Sequence, residues 1–148
     1  MNILFICTGN TCRSPMAEGY LRDLIQKSER SDVAVLSAGL GAFPDQNASA
    51  HSVDILKDQG IDISSHSSRM MEKAFLEASD WVLTMTEGHK KLILANFPEF
   101  EDKVKTLSEF AEMPGEIGDP FGGDRKEYEK AAEDIQKRVE EVWKKLQS

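Results

Sequence analysis

The chain has 148 residues, 40% hydrophobic and 30% charged, and a formal net charge of −8. That length fits one domain with a sizeable core, so residues 1–148 are expected to form a single domain. No basic run offsets the acidity, which argues against nucleic-acid or anionic-membrane partners, and no apolar stretch reaches membrane-spanning length.

In chain order, Ile3-Leu4-Phe5-Ile6 reads as a buried strand, followed by Cys7-Thr-Gly-Asn-Thr-Cys-Arg-Ser-Pro15, a small polar loop. From Pro15 to about Lys27 the apolar residues Met16, Tyr20, Leu24 and Ile25 mark one buried helical face. Val33-Ala-Val-Leu36 reads as a second strand ending at Ser37-Ala38-Gly39, and 39–47 as a loop punctuated by Gly, Pro, Asp and Asn. A helix is expected over Ala48–Gln59 with Val53, Ile55 and Leu56 inward and Gly60 as its cap. Ile61-Asp62-Ile63 is read as extended, Met70–Ala78 as a short helix and Trp81–Met85 as the third strand. A helix opening at Thr86 or Glu87 runs to Asn96, and Lys103–Leu107 is the fourth strand. The last helix starts at Asp124 with Glu127 as its capping partner, and Tyr128, Ala131, Ile135, Val139, Val142 and Leu146 form its buried stripe. Strands alternating with helices at this pace predict four parallel strands flanked by helices on both faces, with a phosphate-binding loop between strand 1 and helix 1.

That loop carries the chemistry. Amides at a strand-to-helix turn, aided by the positive end of the helix dipole, make an anion trap. Arg13 adds a planar fork matched to two phosphate oxygens, and Gly9 is read as the residue that relaxes the backbone for a tight cradle. Pro15 suits the first helical position, where its missing N–H costs nothing. The same surroundings stabilise a sulfur anion at Cys7, and Ser14 can donate a hydrogen bond to it. A single cysteine closing a buried strand is ordinarily a small hydrophobe; the accompanying arginine, hydroxyl and proline are what point to a nucleophile. Far along the chain, Gly118-Asp119-Pro120-Phe121-Gly122-Gly123 has the composition of a surface loop. Asp119-Pro120 alone reads as the start of a turn; beside a thiol nucleophile Asp119 is also a candidate acid.

Cys-(X)5-Arg-Ser-Pro at residues 7–15, with Met-Ala-Glu following, resembles the low-molecular-weight protein phosphatases, and the resemblance runs over essentially the whole chain. It implies Cys7 as nucleophile, Arg13 as phosphate clamp and Asp119 as general acid and base, acting through a phosphocysteine intermediate. The loop residues Thr8, Gly9, Asn10, Thr11, Cys12 and Ser14, together with Phe121, are implied to bind substrate. Ser37 and His66 match the family positions that brace Asn10; His66 also reads as a surface residue in a serine-rich turn. His51 and His89 read as exposed helix residues and receive no role.

Thr11 is similar to the bacterial protein-arginine phosphatases, where the tyrosine-directed branch has a larger aliphatic residue. Phe121-Gly122-Gly123 departs from the tyrosines usual in that branch. Phosphoarginine in proteins is therefore the expected substrate, with phosphotyrosine as the alternative. Arsenate reductases share the loop but need further cysteines, and this chain has only Cys7 and Cys12. A phosphocysteine carrier would have no use for Asp119. No zinc-like spacing occurs among the scattered histidines, so no metal or cofactor is expected. Both cysteines lie in one loop and no secretory leader is read before Cys7, which fits a reducing cytoplasm; a monomer is expected. Cys12 is either a space-filler or a redox partner that traps an oxidised Cys7.

Overall fold

The computed structural model describes residues 1–147. Its sheet is built from β1 (Asn2–Cys7), β2 (Ala34–Gly39), β3 (Trp81–Thr84) and β4 (Val104–Thr106), ordered β2-β1-β3-β4 with every neighbouring pair parallel. β1 is apolar along nearly its whole length because both its faces are covered. Ile3, Phe5 and Cys7 join one hydrophobic cluster, and Leu4 and Ile6 the other, as side chains alternating across a strand must. The first cluster is completed by α1 (Arg13–Lys27), α2 (Ala50–Asp58) and α6 (Arg125–Gln147); the second by α3 (Lys73–Ala78) and α4 (Glu87–Asn96). Four parallel strands with helices on both faces are thus observed. The connections leave β1 first toward β2 and later toward β3. The crevice beyond the C-terminal end of β1 is where such a sheet takes a ligand, and Cys7 is that end.

The elements differ from the sequence reading mostly at their edges. α1 begins at Arg13, so Pro15 occupies its third position rather than its first; the N–H it lacks would still have had no partner within the helix. Met70 does not enter α3 but pairs with Gly39 as a parallel bridge, extending the sheet edge by one residue. Ile61-Asp62-Ile63, read as extended, joins no strand of the sheet, and Asp62 starts the turn that follows by accepting the backbone N–H of Ser64 at 2.8 Å. A short helix, α5 (Leu107–Ala111), follows β4 directly. Its cause is a reciprocal cap in which Thr106 Oγ1 accepts from Glu109 N and Glu109 Oε1 accepts from Thr106 N. In α6, Asp124 Oδ1 accepts the N–H of Glu127 at 3.1 Å, and Tyr128, Ala131, Ile135, Val139 and Val142 are buried as the stripe requires. Leu146 is partly buried against the same cluster.

Candidate active site

Behind the loop lies a chain of hydrogen bonds whose directions follow from the chemistry of each group. Asn10 is fully buried, and its amide donates to Ser14 Oγ and to Ser37 Oγ, both at 2.9 Å. An amide nitrogen can only donate, so Ser14 Oγ accepts there and its own proton is left for Cys7 Sγ, 2.9 Å away. Asn10 Oδ1 accepts from Arg69 N at 2.9 Å, and the Asn10 carbonyl accepts from His66 Nε2 at 2.8 Å. Burial holds the His66 ring below its ordinary range of titration, while the bond to Asn10 works the other way. Ser37 donates onward to Glu18, a buried carboxylate that also pairs with Arg22. The backbone of Asn10 has φ +56°; it is this residue, and not Gly9, that takes the left-handed turn of the cradle. Asparagine tolerates that region better than most side chains, and its amide bonds hold it there.

Arg13 is 4% exposed and is fixed by donating from Nη1 to the carbonyl of Ile117 at 3.0 Å. Its Nη2 stands 3.6 Å from Asp119 Oδ2. Asp119 does two things at once: Oδ1 accepts the N–H of Phe121 at 3.1 Å, starting a turn, while the other oxygen faces Arg13. The base of this loop is anchored by Ile117, which is fully buried and donates its N–H to Met85 O at 3.2 Å. Residues more than a hundred positions apart in sequence are brought together by that anchor.

Cys7, Arg13 and Asp119 line a single cavity of about 430 Å³, with Thr8, Gly9, Thr11, Cys12 and Phe121 around them. Asn10, Ser14, Ser37 and His66 stand behind its floor as a brace. Phe43 and Gln46, from the loop after β2, complete the rim. Cys12 Sγ is 3.3 Å from the hydroxyl of Tyr128, whose titration burial pushes up to about 12. Both cysteines are free thiols. Among the described residues, no group of three or more His, Cys, Asp or Glu side chains could hold a metal ion, and no helix is long and apolar enough to cross a membrane.

His89 corrects the sequence reading. It is not an exposed helix residue but 7% exposed, with Nε2 3.0 Å from Thr8 Oγ1 and Nδ1 3.2 Å from the backbone N of Thr86. Burial, then the positive charge of Arg13, pulls its titration down to about 4. His51 is half-buried and packs its ring 5.0 Å from that of Tyr128. Neither could be read from periodicity, since the contacts of His89 with Thr8 and of His51 with Tyr128 reach elements distant in sequence. The contacts of Glu18 and Tyr128 are hidden differently: one lies in the matched Met-Ala-Glu, the other in the helical stripe, and neither pattern shows a hydrogen bond.

Over residues 2–148 the sequence matches the family described as low molecular weight phosphotyrosine protein phosphatase. The chain belongs to that family. It is a cysteine-dependent protein phosphatase. A protein-arginine-phosphatase of Geobacillus stearothermophilus is 40% identical over 147 residues, covering 99% of this chain and 96% of the relative. The low molecular weight protein-tyrosine-phosphatase PtpB of Staphylococcus aureus is 36% identical over 135 residues, 91% of each chain. A mutant of the YwlE arginine phosphatase, solved with a phosphorylated active site serine in place of cysteine, superposes with a TM-score of 0.94 at 36% identity. That match covers 100% of this phosphatase and 97% of the other chain.

Proposed function

We propose that this phosphatase hydrolyses phosphoarginine in proteins, with Cys7 as nucleophile, Arg13 as clamp and Asp119 as acid and then base. The sulfur of Cys7 attacks phosphorus in line as the P–N bond to the guanidinium breaks, and Asp119 delivers its proton to the departing nitrogen. Arg13 and the loop amides carry the charge that spreads over the equatorial oxygens. In the second half Asp119, now a carboxylate, takes a proton from water, which attacks phosphorus and releases the sulfur. The phosphorylated serine of the YwlE mutant supports a covalent phospho-enzyme. Ser14, with its proton aimed at sulfur, eases the sulfur both in and out of the bond.

The observation that carries the choice of substrate is Thr11 on the rim of the cavity that holds Cys7 and Asp119. A short side chain leaves width for a planar guanidinium and offers it a hydroxyl. Phe121, 77% exposed at the same rim, can stack on that plane, and the Asp119 carboxyl can pair with its N–H groups. Named protein-arginine-phosphatases at 40% and 38% identity favour the same reading. Phosphotyrosine is the second reading, favoured by the likeness to PtpB. Turnover of matched phosphoarginine and phosphotyrosine peptides separates them. Phosphoarginine is expected to lead in kcat/KM by at least about tenfold, the scale of a few misfitted contacts in a pocket, and Thr11→Ile to reduce that lead. A parent enzyme that prefers phosphotyrosine would end the arginine assignment.

A further inference from the structure

We propose that His89 is a positioning residue of the active site: it fixes the hydroxyl of Thr8 so that its proton points into the cavity and donates to a phosphoryl oxygen of the substrate. The proposal rests on the reading of that cavity as a phosphoryl-transfer site, but not on which phosphorylated residue enters it.

His89 is the third residue of α4, where a capping box ordinarily carries Glu or Gln. Its Nδ1 faces the backbone N–H of Thr86 at 3.2 Å, a group that can only donate, and Thr86 Oγ1 at 3.1 Å, a hydroxyl that already accepts from His89 N and has its own proton to give, so Nδ1 is the unprotonated nitrogen. Burial and the neighbouring Arg13 keep the ring neutral at neutral pH. A neutral ring with a bare Nδ1 carries its proton on Nε2, and Nε2–H therefore donates to Thr8 Oγ1 at 3.0 Å. Among the described residues Thr8 Oγ1 has no other hydrogen-bond partner, and Thr8 lines the cavity with Cys7 and Arg13. Its own proton is thus free for a ligand. The oxygens of an ionised phosphoryl group are acceptors, so a hydroxyl that bonds to one of them does so as a donor. The choice of histidine then has a chemical reason. Glu would accept from Thr86 N–H equally well, but would also accept the Thr8 proton and turn that hydroxyl away from the substrate. Gln would keep both polarities, one oxygen for the cap and one N–H for Thr8.

Steady-state kinetics on para-nitrophenyl phosphate and on a phosphoarginine peptide, with the parent as control, test this. Thr8→Val is expected to lower kcat/KM about tenfold on both, the scale of one charge-assisted hydrogen bond. His89→Gln should stay within about threefold of the parent, and His89→Glu should fall about tenfold or more. In the Thr8→Val background the further loss from His89→Glu should shrink to about threefold, the part owed to added charge alone. Equal losses for Gln and Glu, or a Thr8→Val variant within about twofold of the parent, would overturn the proposal and leave His89 as a helix cap. Should a His89 variant fail to fold, nitrogen-15 shifts of the parent's His89 ring decide instead: protonated Nε2 supports the proposal and protonated Nδ1 refutes it. A parent inactive on both substrates would count against the phosphatase reading itself, a result distinct from any of these.

Discussion

Ser14 has one proton, and since the Asn10 amide can only donate to its oxygen, that proton is left for the sulfur of Cys7. A hydroxyl aimed at sulfur stabilises the anion that attacks and the anion that later leaves, so its removal should act on both halves of the reaction. Ser14→Ala is expected to lower kcat about 10- to 100-fold, the range for losing a hydrogen bond to a charged group. KM should barely change, since the phosphoryl clamp is untouched; a variant whose kcat matches the parent would remove Ser14 from the account. Much of this residue-scale juxtaposition is legible in the sequence, because Cys7, Arg13 and Ser14 lie in one loop. Glu18, Tyr128 and His89 are not. Their roles depend on partners 19, 116 and 81 positions away, and no local pattern encodes a contact of that reach.

At the scale of elements, the cradle is shaped by what lies against it. Gly39 ends β2 beside the loop, and a Cβ added there would sit 2.5 Å from the carbonyl oxygen of Thr8 and 3.1 Å from the N of Asn10. Both are backbone atoms of the loop, and the loop is tied to the same corner by Leu40 N to Cys7 O and Gly41 N to Thr8 O. Gly39→Ala should therefore destabilise by about 1–3 kcal/mol, as overpacking does, and should lower kcat/KM more than tenfold by displacing the cradle. A thermal midpoint and activity both equal to the parent's would show that the corner yields. The periodicity of α1 and α6 and the apolar run of β1 were plain from sequence because each is long or buried on both sides. α5 is hard to read although Thr106-Leu-Ser-Glu109 spells its cap, since a five-residue helix has too few turns to show an apolar stripe. Composition points to Gly9 as the residue that frees the backbone of the cradle, whereas hydrogen bonds on all sides of Asn10 hold that residue in the left-handed region instead.

For the molecule as a whole, the site adds an acid-sensitive component to stability. His66 and His89 both titrate below their ordinary 6.5 in the folded state, chiefly through burial. The unfolded chain then binds protons that the folded chain refuses. Stability is full above about pH 6.5 and is lost as pH falls, for His89 down to its folded value of about 4. Urea midpoints between pH 7.5 and 5 should drop with acid, and His89→Gln should flatten the slope; an unchanged slope in that variant would contradict the burial argument. The parallel order β2-β1-β3-β4 gives this arrangement its purpose, because it opens a crevice at the end of β1 where Cys7, the start of α1 and the loop before α6 meet. The most direct test of the account is to stop a single turnover of a phosphoarginine protein and map the phosphoryl group by mass spectrometry, with Asp119→Asn used to hold the intermediate. The phosphoryl group is predicted on the sulfur of Cys7. An unmodified Cys7 during turnover, or catalysis persisting in Cys7→Ser, would contradict it.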